Sequence, residues 1–520
     1  MIDVRVPFQI PNVEDTMTDT HSARFAGTPS VWNPAHPVPT EAALPPRADV
    51  VIAGAGIAGM CAAVQLSAAG LAVVVVDAIG PAAGTTGHSS AKVTLLHELH
   101  AHRIARLDGE VTARNYLDAN QYGLDWIADQ IKTSGIDCGW ERQPAMTYVT
   151  SAENSQLIDE EVRAFTTAGI AASRVALDLP YSTQAAIRVA DQGQFDPVRF
   201  VDGLVAQFKA SGGTLISGPR ATGVKDGGHG ATVHTSWGDI ACRWFIVATG
   251  LPFLDRGLFF ARTEPMSSYV IACEVEQLPP DGMYLSADGP TRSLRTALIG
   301  DRRLLLVGGE GHKTGQGGDT RTRYEDLATW TDRHFGLVEE VNRFSANDFT
   351  TGDLRPFVGP IHPGPSSTLV ATGFNKWGFT NAAAGGELLR SHILDSTTPR
   401  WASAYSPTRL PISGATNLIG ANANVGMHML GGWADAMRGH DSPEAGEGRV
   451  TRRRGRPVAV SRDEDGRECA VSGVCSHLGG ILNWNPAERT WDCPLHGSRF
   501  ASSGQVLQGP ATTDLERNEP

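Results

Sequence analysis

The chain is short of several things, and each shortage excludes something. Its 520 residues hold only seven cysteines, an odd and scattered set, so a disulfide framework is excluded and a reducing, cytoplasmic compartment is expected. Charged residues make up 19% and the balance is acidic, 44 Lys and Arg against 56 Asp and Glu, which argues against nucleic acid as a partner. No run of 18 apolar residues occurs, so no membrane span is expected. The opening stretch, MIDVRVPFQIPNVEDTM, lacks a basic segment followed by an apolar one and reads as carrying no secretory signal. One cluster of positive charge, Arg452-Arg453-Arg454-Gly455-Arg456, reads as a solvated turn or strand edge.

Glycine is plentiful, 58 residues in all, a bias that suits tight turns and close backbone approach to a nucleotide. Residues 1–46, rich in Pro, Thr and Ala, read as an extended arm. A strand over Asp49–Ala53 then runs into Gly54-x-Gly56-x-x-Gly59 and an apolar helix over Met60–Ala69. A second strand, Ala72–Val76, ends at Asp77. Alone, the glycine pattern says little; between a strand and a helix, with an acidic residue closing the next strand, it marks a dinucleotide-binding βαβ unit. Gly54 makes the turn, Gly56 admits the pyrophosphate and Gly59 packs helix on strand. The helix start at Ile57 and Ala58 faces phosphate charge, and Asp77 takes the ribose hydroxyls. FAD and NAD both fit such a unit. Farther along, strands are expected over Ser268–Val275 and Arg303–Gly308. Phe245–Gly250 reads as a buried strand ending in a glycine turn, and Thr368–Thr372 as a strand entering Gly373-Phe-Asn-Lys376-Trp377-Gly378 ahead of a helix.

The most specific signal lies near the C-terminal end: Cys475-Ser-His477, a gap of fifteen residues, then Cys493-Pro-Leu-His496. A [2Fe–2S] cluster needs four protein ligands, and two imidazoles on one iron raise its potential above that of an all-cysteine cluster. Two short loops, each giving one Cys and one His, supply that set. Gly479, Gly480 and Gly497 let backbone amides approach the sulfurs. Zinc modules usually group Cys with Cys and His with His, so the alternating order favours iron–sulfur. Before this segment, Leu418, Val425, Met429, Trp433 and Met437 mark one face of a connector helix packed on the first domain, followed by a polar linker.

The segment from Val450 to Leu515 resembles the Rieske family, and the resemblance places Cys475, His477, Cys493 and His496 on its four metal-ligand positions. Two departures bear on the potential. Respiratory Rieske proteins carry a further disulfide-forming pair of cysteines where this chain has Gly480 and Leu495. The hydrogen-bonding serine is present as Ser498, but the tyrosine two residues later is Phe500. Fewer hydrogen bonds to the cluster predict a potential below the respiratory type.

Residues 48–410 resemble the D-amino-acid-oxidase-like flavoproteins, which include glycine, sarcosine and dimethylglycine oxidases. The likeness rests on the glycine fingerprint, Gly84-Thr-Thr-Gly-His-Ser-Ser-Ala-Lys92, Ala248-Thr-Gly250, Thr351–Gly359 and Gly373–Thr380. It implies FAD, a Rossmann-like α/β domain with an α+β substrate subdomain inserted at about 140–345, and a small all-β Rieske domain after it. The expected organisation is an arm (1–46), the flavoprotein (47–410), connector and linker (411–449) and the Rieske domain (450–520). The resemblance implies FAD contacts at Thr86, Gly87, His88, Thr249, Gly250, Gly373, Lys376, Trp377, Gly378 and Thr380. At the Thr380 position sarcosine oxidases hold a carboxylate-gripping lysine. His88 stands where dimethylglycine-oxidase-like enzymes attach flavin covalently, but its following residues differ and imply a non-covalent contact. Catalytic candidates are His88, Lys92, His312 and Lys313, the last two in a loop after a strand.

Together the halves suggest a wire. The resemblance implies hydride removal from a C–N bond of an amine, with electrons leaving FAD through the cluster to an external acceptor, a protein or a quinone. Two other classes fit the same cofactors: an NAD(P)H-linked reductase feeding an oxygenase, and a redox sensor. The reductase would call for a second dinucleotide fingerprint, which the sequence does not show.

Overall fold

Runs of Val and Ile without polar alternation make strands that are buried on both faces. In the computed structural model, which describes residues 28–32, 43–409, 429, 431–434, 436 and 442–518, such runs build an eight-stranded sheet. Arg47–Ala53 lies at its centre, parallel to Val73–Asp77 on one side and Gly238–Val247 on the other. Thr214–Ser217 and Thr368–Thr372 extend the parallel set, and Phe357–Pro360 adds an antiparallel edge. Helices Ile57–Ala68 and Gly378–Ile393 pack together, so closely that a Cβ at Gly386 would lie 3.1 Å from the Cys61 carbonyl oxygen. The α/β character expected from the sequence is the fold observed.

A second, nine-stranded mixed sheet runs in the order Leu337–Thr351, Thr263–Val275, Arg302–Lys313, Arg292–Ile299, Met283–Ser286, Glu141–Val149, Ala185–Gln194 and Lys92–Val93, with Ser173–Val175 paired beside Ala185–Gln194. Glu310–Lys313, expected in a loop, continues a strand instead. Ser267 pairs with His312 and Met266 with Lys313, across a bulge where Glu310 takes a positive φ of 52°. The long partner strand Thr263–Val275 offers ladder positions past the bulge, and the chain uses them.

The C-terminal part is all-β. Gly448–Arg453, Arg456–Arg462 and Glu468–Ser472 form one antiparallel sheet; Asn483–Asn485, Thr490–Asp492, Arg499–Ala501 and Val506–Gln508 form another. Trp491 and Phe500 are fully buried between them. The basic run forms the first hairpin's turn, with Arg454 and Gly455 at φ of 49° and 80° and Arg453 paired with Glu468 at 2.7 Å. This domain is docked on the larger one: Tyr324 Oη donates to Glu488 Oε1 at 2.7 Å, and Thr320 Oγ1 to Asn485 Oδ1 at 2.6 Å. Of the predicted connector helix, Leu418, Val425 and Met437 lie outside the described residues. Trp433 meets the small domain, its Nε1 donating to Gly479 O at 3.2 Å. Among the described residues no helix is long and apolar enough to cross a membrane.

Candidate functional site

A cavity of about 930 Å³ opens at the C-terminal ends of the central strands and is walled by both large sheets. The fingerprint shapes its first end. Gly54 has φ 107°, and a Cβ there would lie 2.4 Å from Ala248 O; a Cβ on Gly59 would lie 1.8 Å from Gly54 O. Only glycine fits either place. Ile57 N–H is held by Thr86 Oγ1 at 3.0 Å. Asp77 accepts from the amides of Ala55, Ile79 and Gly80 at 2.7 to 2.8 Å, which fixes its carboxylate at the cavity wall. Burial pushes that carboxyl up, against these bonds.

Of the residues expected to contact FAD, Gly54, Gly56, Ile57, Ala58, Asp77, Thr86, His88, Thr249, Gly250, Lys376, Trp377 and Gly378 line this cavity. Gly59, Gly87, Gly373 and Thr380 stand behind it. Gly59 and Gly87 allow backbone to pack on backbone, and a Cβ on Gly373 would lie 2.6 Å from the Thr351 methyl carbon. Thr380 Oγ1 donates to Asn120 Oδ1 at 2.7 Å, in a buried cluster with Thr94 and His97.

The catalytic candidates separate. His88 lines the cavity, with Nδ1 against Gly84 O at 2.9 Å, and burial lowers its pKa. Lys92 also lines it, buried, with Nζ donating to Tyr284 O at 2.7 Å and Ser293 Oγ at 2.6 Å. Burial first, then the nearby Arg295 charge, draws its pKa down to about 7. His312 and Lys313 are not on the wall: His312 stacks on Tyr269 at 5.7 Å, and Lys313 pairs with Glu264 at 2.9 Å. The sequence did not flag Ser268 as a site residue; it lines the cavity, and its hydroxyl is buried and unpartnered. No motif marks it; a strand fold alone brings it there.

The Cys/His loops close on one pattern, twice. Cys475 N–H bonds Gly480 O at 2.8 Å and Gly479 N–H bonds Cys475 O at 3.1 Å. Cys493 N–H bonds Ser498 O at 2.8 Å and Gly497 N–H bonds Cys493 O at 3.0 Å. Gly479 and Gly497 both have φ 74°. The closure points amides of His477 and Leu478 at the Cys475 sulfur, and amides of Leu495 and His496 at the Cys493 sulfur. The two sulfurs touch, and the two imidazoles face each other with centroids 5.2 Å apart. Two thiols at one side and two imidazoles at the other is the donor division that a [2Fe–2S] cluster takes. His477 Nδ1 is buried without a partner, as a ligating nitrogen would be. Gly480 and Leu495 meet, a Cβ on the first lying 2.7 Å from Leu495 Cδ1, so leucine fills the place of the missing disulfide.

This tip is pressed onto the large domain. Phe260 meets the His496 ring edge-on at 5.1 Å, Asp255 Oδ1 lies 3.6 Å from His477 Nε2, and a Cβ on Gly497 would lie 2.5 Å from Pro265. Ala261 and Arg262, next along from Phe260, line the cavity.

A dinucleotide cavity joined to a Cys/His tip defines a flavin- and iron–sulfur-dependent oxidoreductase. The FAD dependent oxidoreductase (DAO) pattern matches residues 49–391 and the Rieske [2Fe-2S] domain pattern residues 432–518. The chain therefore belongs to the DAO family of FAD-dependent oxidoreductases, carries a Rieske domain, and uses FAD and a [2Fe–2S] cluster. It is 35% identical to YhfW of Bacillus subtilis (strain 168), named as a Rieske 2Fe-2S iron-sulfur protein, over 96% of this chain and 99% of that one. Its fold is similar to glycine oxidase from Geobacillus kaustophilus, with TM-score 0.60 and 16% identity over 70% of this chain and all of that one. It is also similar to an L-amino acid deaminase from Proteus vulgaris, with TM-score 0.58 and 18% identity over 74% of this chain and all of that one.

Proposed function

We propose that this protein oxidises a carbon–nitrogen bond of a small amine and passes the electrons through the cluster to an external acceptor, a protein or a quinone, in the cytoplasm. When bound, FAD supplies hydride acceptance with stepwise electron release, and the cluster supplies one-electron transfer. The observation that carries the reading is the seat of the His477 and His496 edge on Phe260, one residue from the cavity wall at Ala261. The amine class is the one that the names of glycine oxidase and L-amino acid deaminase, proteins of the same fold, suggest.

The residues take these roles. Cys475, Cys493, His477 and His496 would hold the cluster, the thiolates on one side and the imidazoles on the other. Gly56, Ile57 and Thr86 cradle the pyrophosphate, Asp77 the ribose, and His88, Lys376 and Trp377 border the remainder of the cofactor. Lys92, neutral above about pH 7, gives its two N–H groups to Tyr284 O and Ser293 Oγ. Its Nζ lone pair then takes a proton from the substrate ammonium. The neutral amine is then set to give up a hydride from its α-carbon, which bound FAD would accept, and water hydrolyses the resulting iminium to a carbonyl compound and an ammonium ion.

Anaerobic stopped-flow absorbance with freeze-quench EPR tests this. The cluster-containing holoprotein is mixed with primary and secondary amines, then with NADH and NADPH. Flavin bleaching by an amine, followed by a reduced Rieske signal, is the expected result. Bleaching by NAD(P)H alone overturns it in favour of a reductase.

A further inference from the structure

The flavin cavity is not walled by the flavoprotein part alone. Arg499 and residues 507–512 of the Rieske domain line the same cavity as Gly54 and Asp77. We infer that the Rieske domain is part of the FAD-binding site: segment 506–512 closes its nucleotide end, and that segment couples FAD binding to the surroundings of the cluster.

Three contacts place it. Arg220, from the large domain, donates from Nη2 to Val506 O at 2.9 Å. Its half-buried guanidinium feels the carboxylates of both Asp77, at the ribose end of the fingerprint, and Asp514, across the domain boundary. Asp514 in turn accepts from Val506 N–H at 2.8 Å, so Arg220, Val506 and Asp514 form one clamp. The segment then runs to the cluster. Ala511 N–H donates to Ser498 Oγ at 3.0 Å, and the Ser498 hydroxyl bonds the Cys475 sulfur. The segment 507–512 therefore lines the nucleotide cavity and, through Ala511 N–H and the Ser498 hydroxyl, stands two hydrogen bonds from a ligand sulfur. A ligand held between two domains stabilises their docking, and whatever it does to the cluster the cluster does to it, because binding free energies are reciprocal.

The inference needs neither substrate nor turnover, so it stands or falls apart from the amine reading. FAD is titrated into the full-length, cluster-containing, flavin-stripped protein by fluorescence quenching, with the Rieske EPR spectrum recorded before and after. Thr512→Asp sets a carboxylate on the cavity wall from the Rieske side; Arg220→Gln opens the clamp from the other. Each is expected to weaken FAD binding at least about tenfold with the integrated cluster signal intact. In the parent, FAD addition shifts the EPR g values, and in Arg220→Gln it does not, a readout that loss of a local contact at Asp77 would leave unmoved. Should Thr512→Asp lose its cluster, Arg220→Gln decides. FAD affinity within twofold of the parent, or g values indifferent to FAD in the parent, overturns the proposal.

Discussion

The cluster tip takes Cys475, His477, Cys493 and His496 from two neighbouring loops that close on themselves with the same pair of backbone bonds. The flavin cavity gathers its wall from Gly54 to Thr512, across two sheets and a second domain. The first site is local in sequence and its geometry is set by turn chemistry; the second exists only once the whole chain is packed. Point changes should therefore act differently in the two places. In the tip they remove a function cleanly, while around the cavity they also loosen the fold.

Cys493→Ser is the largest break expected. It takes away one of the two thiolates assigned to the cluster, so the Rieske EPR signal should vanish entirely while an amine still bleaches the flavin anaerobically. Retention of a Rieske signal would refute the ligand assignment. Gly59→Val tests the other region. Its Cβ would fall 1.8 Å from Gly54 O, backbone against backbone, with no flexible neighbour to give way. The expected result is loss of bound FAD together with about 3 kcal/mol of stability, measured by flavin content and urea denaturation. A Gly59→Val protein that keeps full FAD and stability would show that the fingerprint tolerates what the geometry forbids.

Lys92→Met sharpens the contrast by pH. The folded Lys92 has its pKa lowered to about 7 by burial, from the ordinary 10.5. Between these values the unfolded chain binds a proton that the folded chain does not, so parent stability rises with pH through this window. Below about pH 7 the charged, buried amine destabilises the parent in full. The parent should thus gain on Lys92→Met by about 3 kcal/mol as pH climbs from 6.5 to 9.5, in a series of urea melts. A difference that stays flat would mean that Lys92 is not buried uncharged.

The same contrast governs what could be read from the sequence. The Cys/His tip and the glycine turn could be read because each is built within a single short segment, Gly54 to Asp77 and Cys475 to His496. Phe260, Asp255, Arg220 and Ser293 were not, because tertiary packing alone brings them to the tip and the cavity and no periodicity marks them. Misplacement followed the same rule. His312 and Lys313 look like a polar loop, yet a bulge at Glu310 returns them to a strand where His312 stacks on Tyr269 and Lys313 pairs with Glu264. Thr380 sits in the first turn of a helix and turns its hydroxyl to Asn120, a partner on a helix far away in the sequence.

Tyr324→Phe probes the joint between the two regions and should give the smallest effect. The Tyr324 hydroxyl donates to Glu488 Oε1 at 2.7 Å, and burial with the Glu488 charge pushes its own pKa well up. Glu488 also accepts from Thr28 N–H at 2.9 Å and lies 4.0 Å from the Arg499 guanidinium, which Asp492 holds at 3.1 Å. Loss of the hydroxyl thus leaves the carboxylate partly satisfied, and the cost is that of one hydrogen bond to a charged group, about 2 kcal/mol. That cost should fall on docking and not on the tip, because no bond of the two cluster loops involves Tyr324. The expected outcome is a lower urea midpoint with an unchanged Rieske EPR line shape. A changed line shape with an unchanged midpoint would mean that the cluster, and not the joint, feels Tyr324, and the division between a self-contained tip and a collectively built cavity would have to be redrawn.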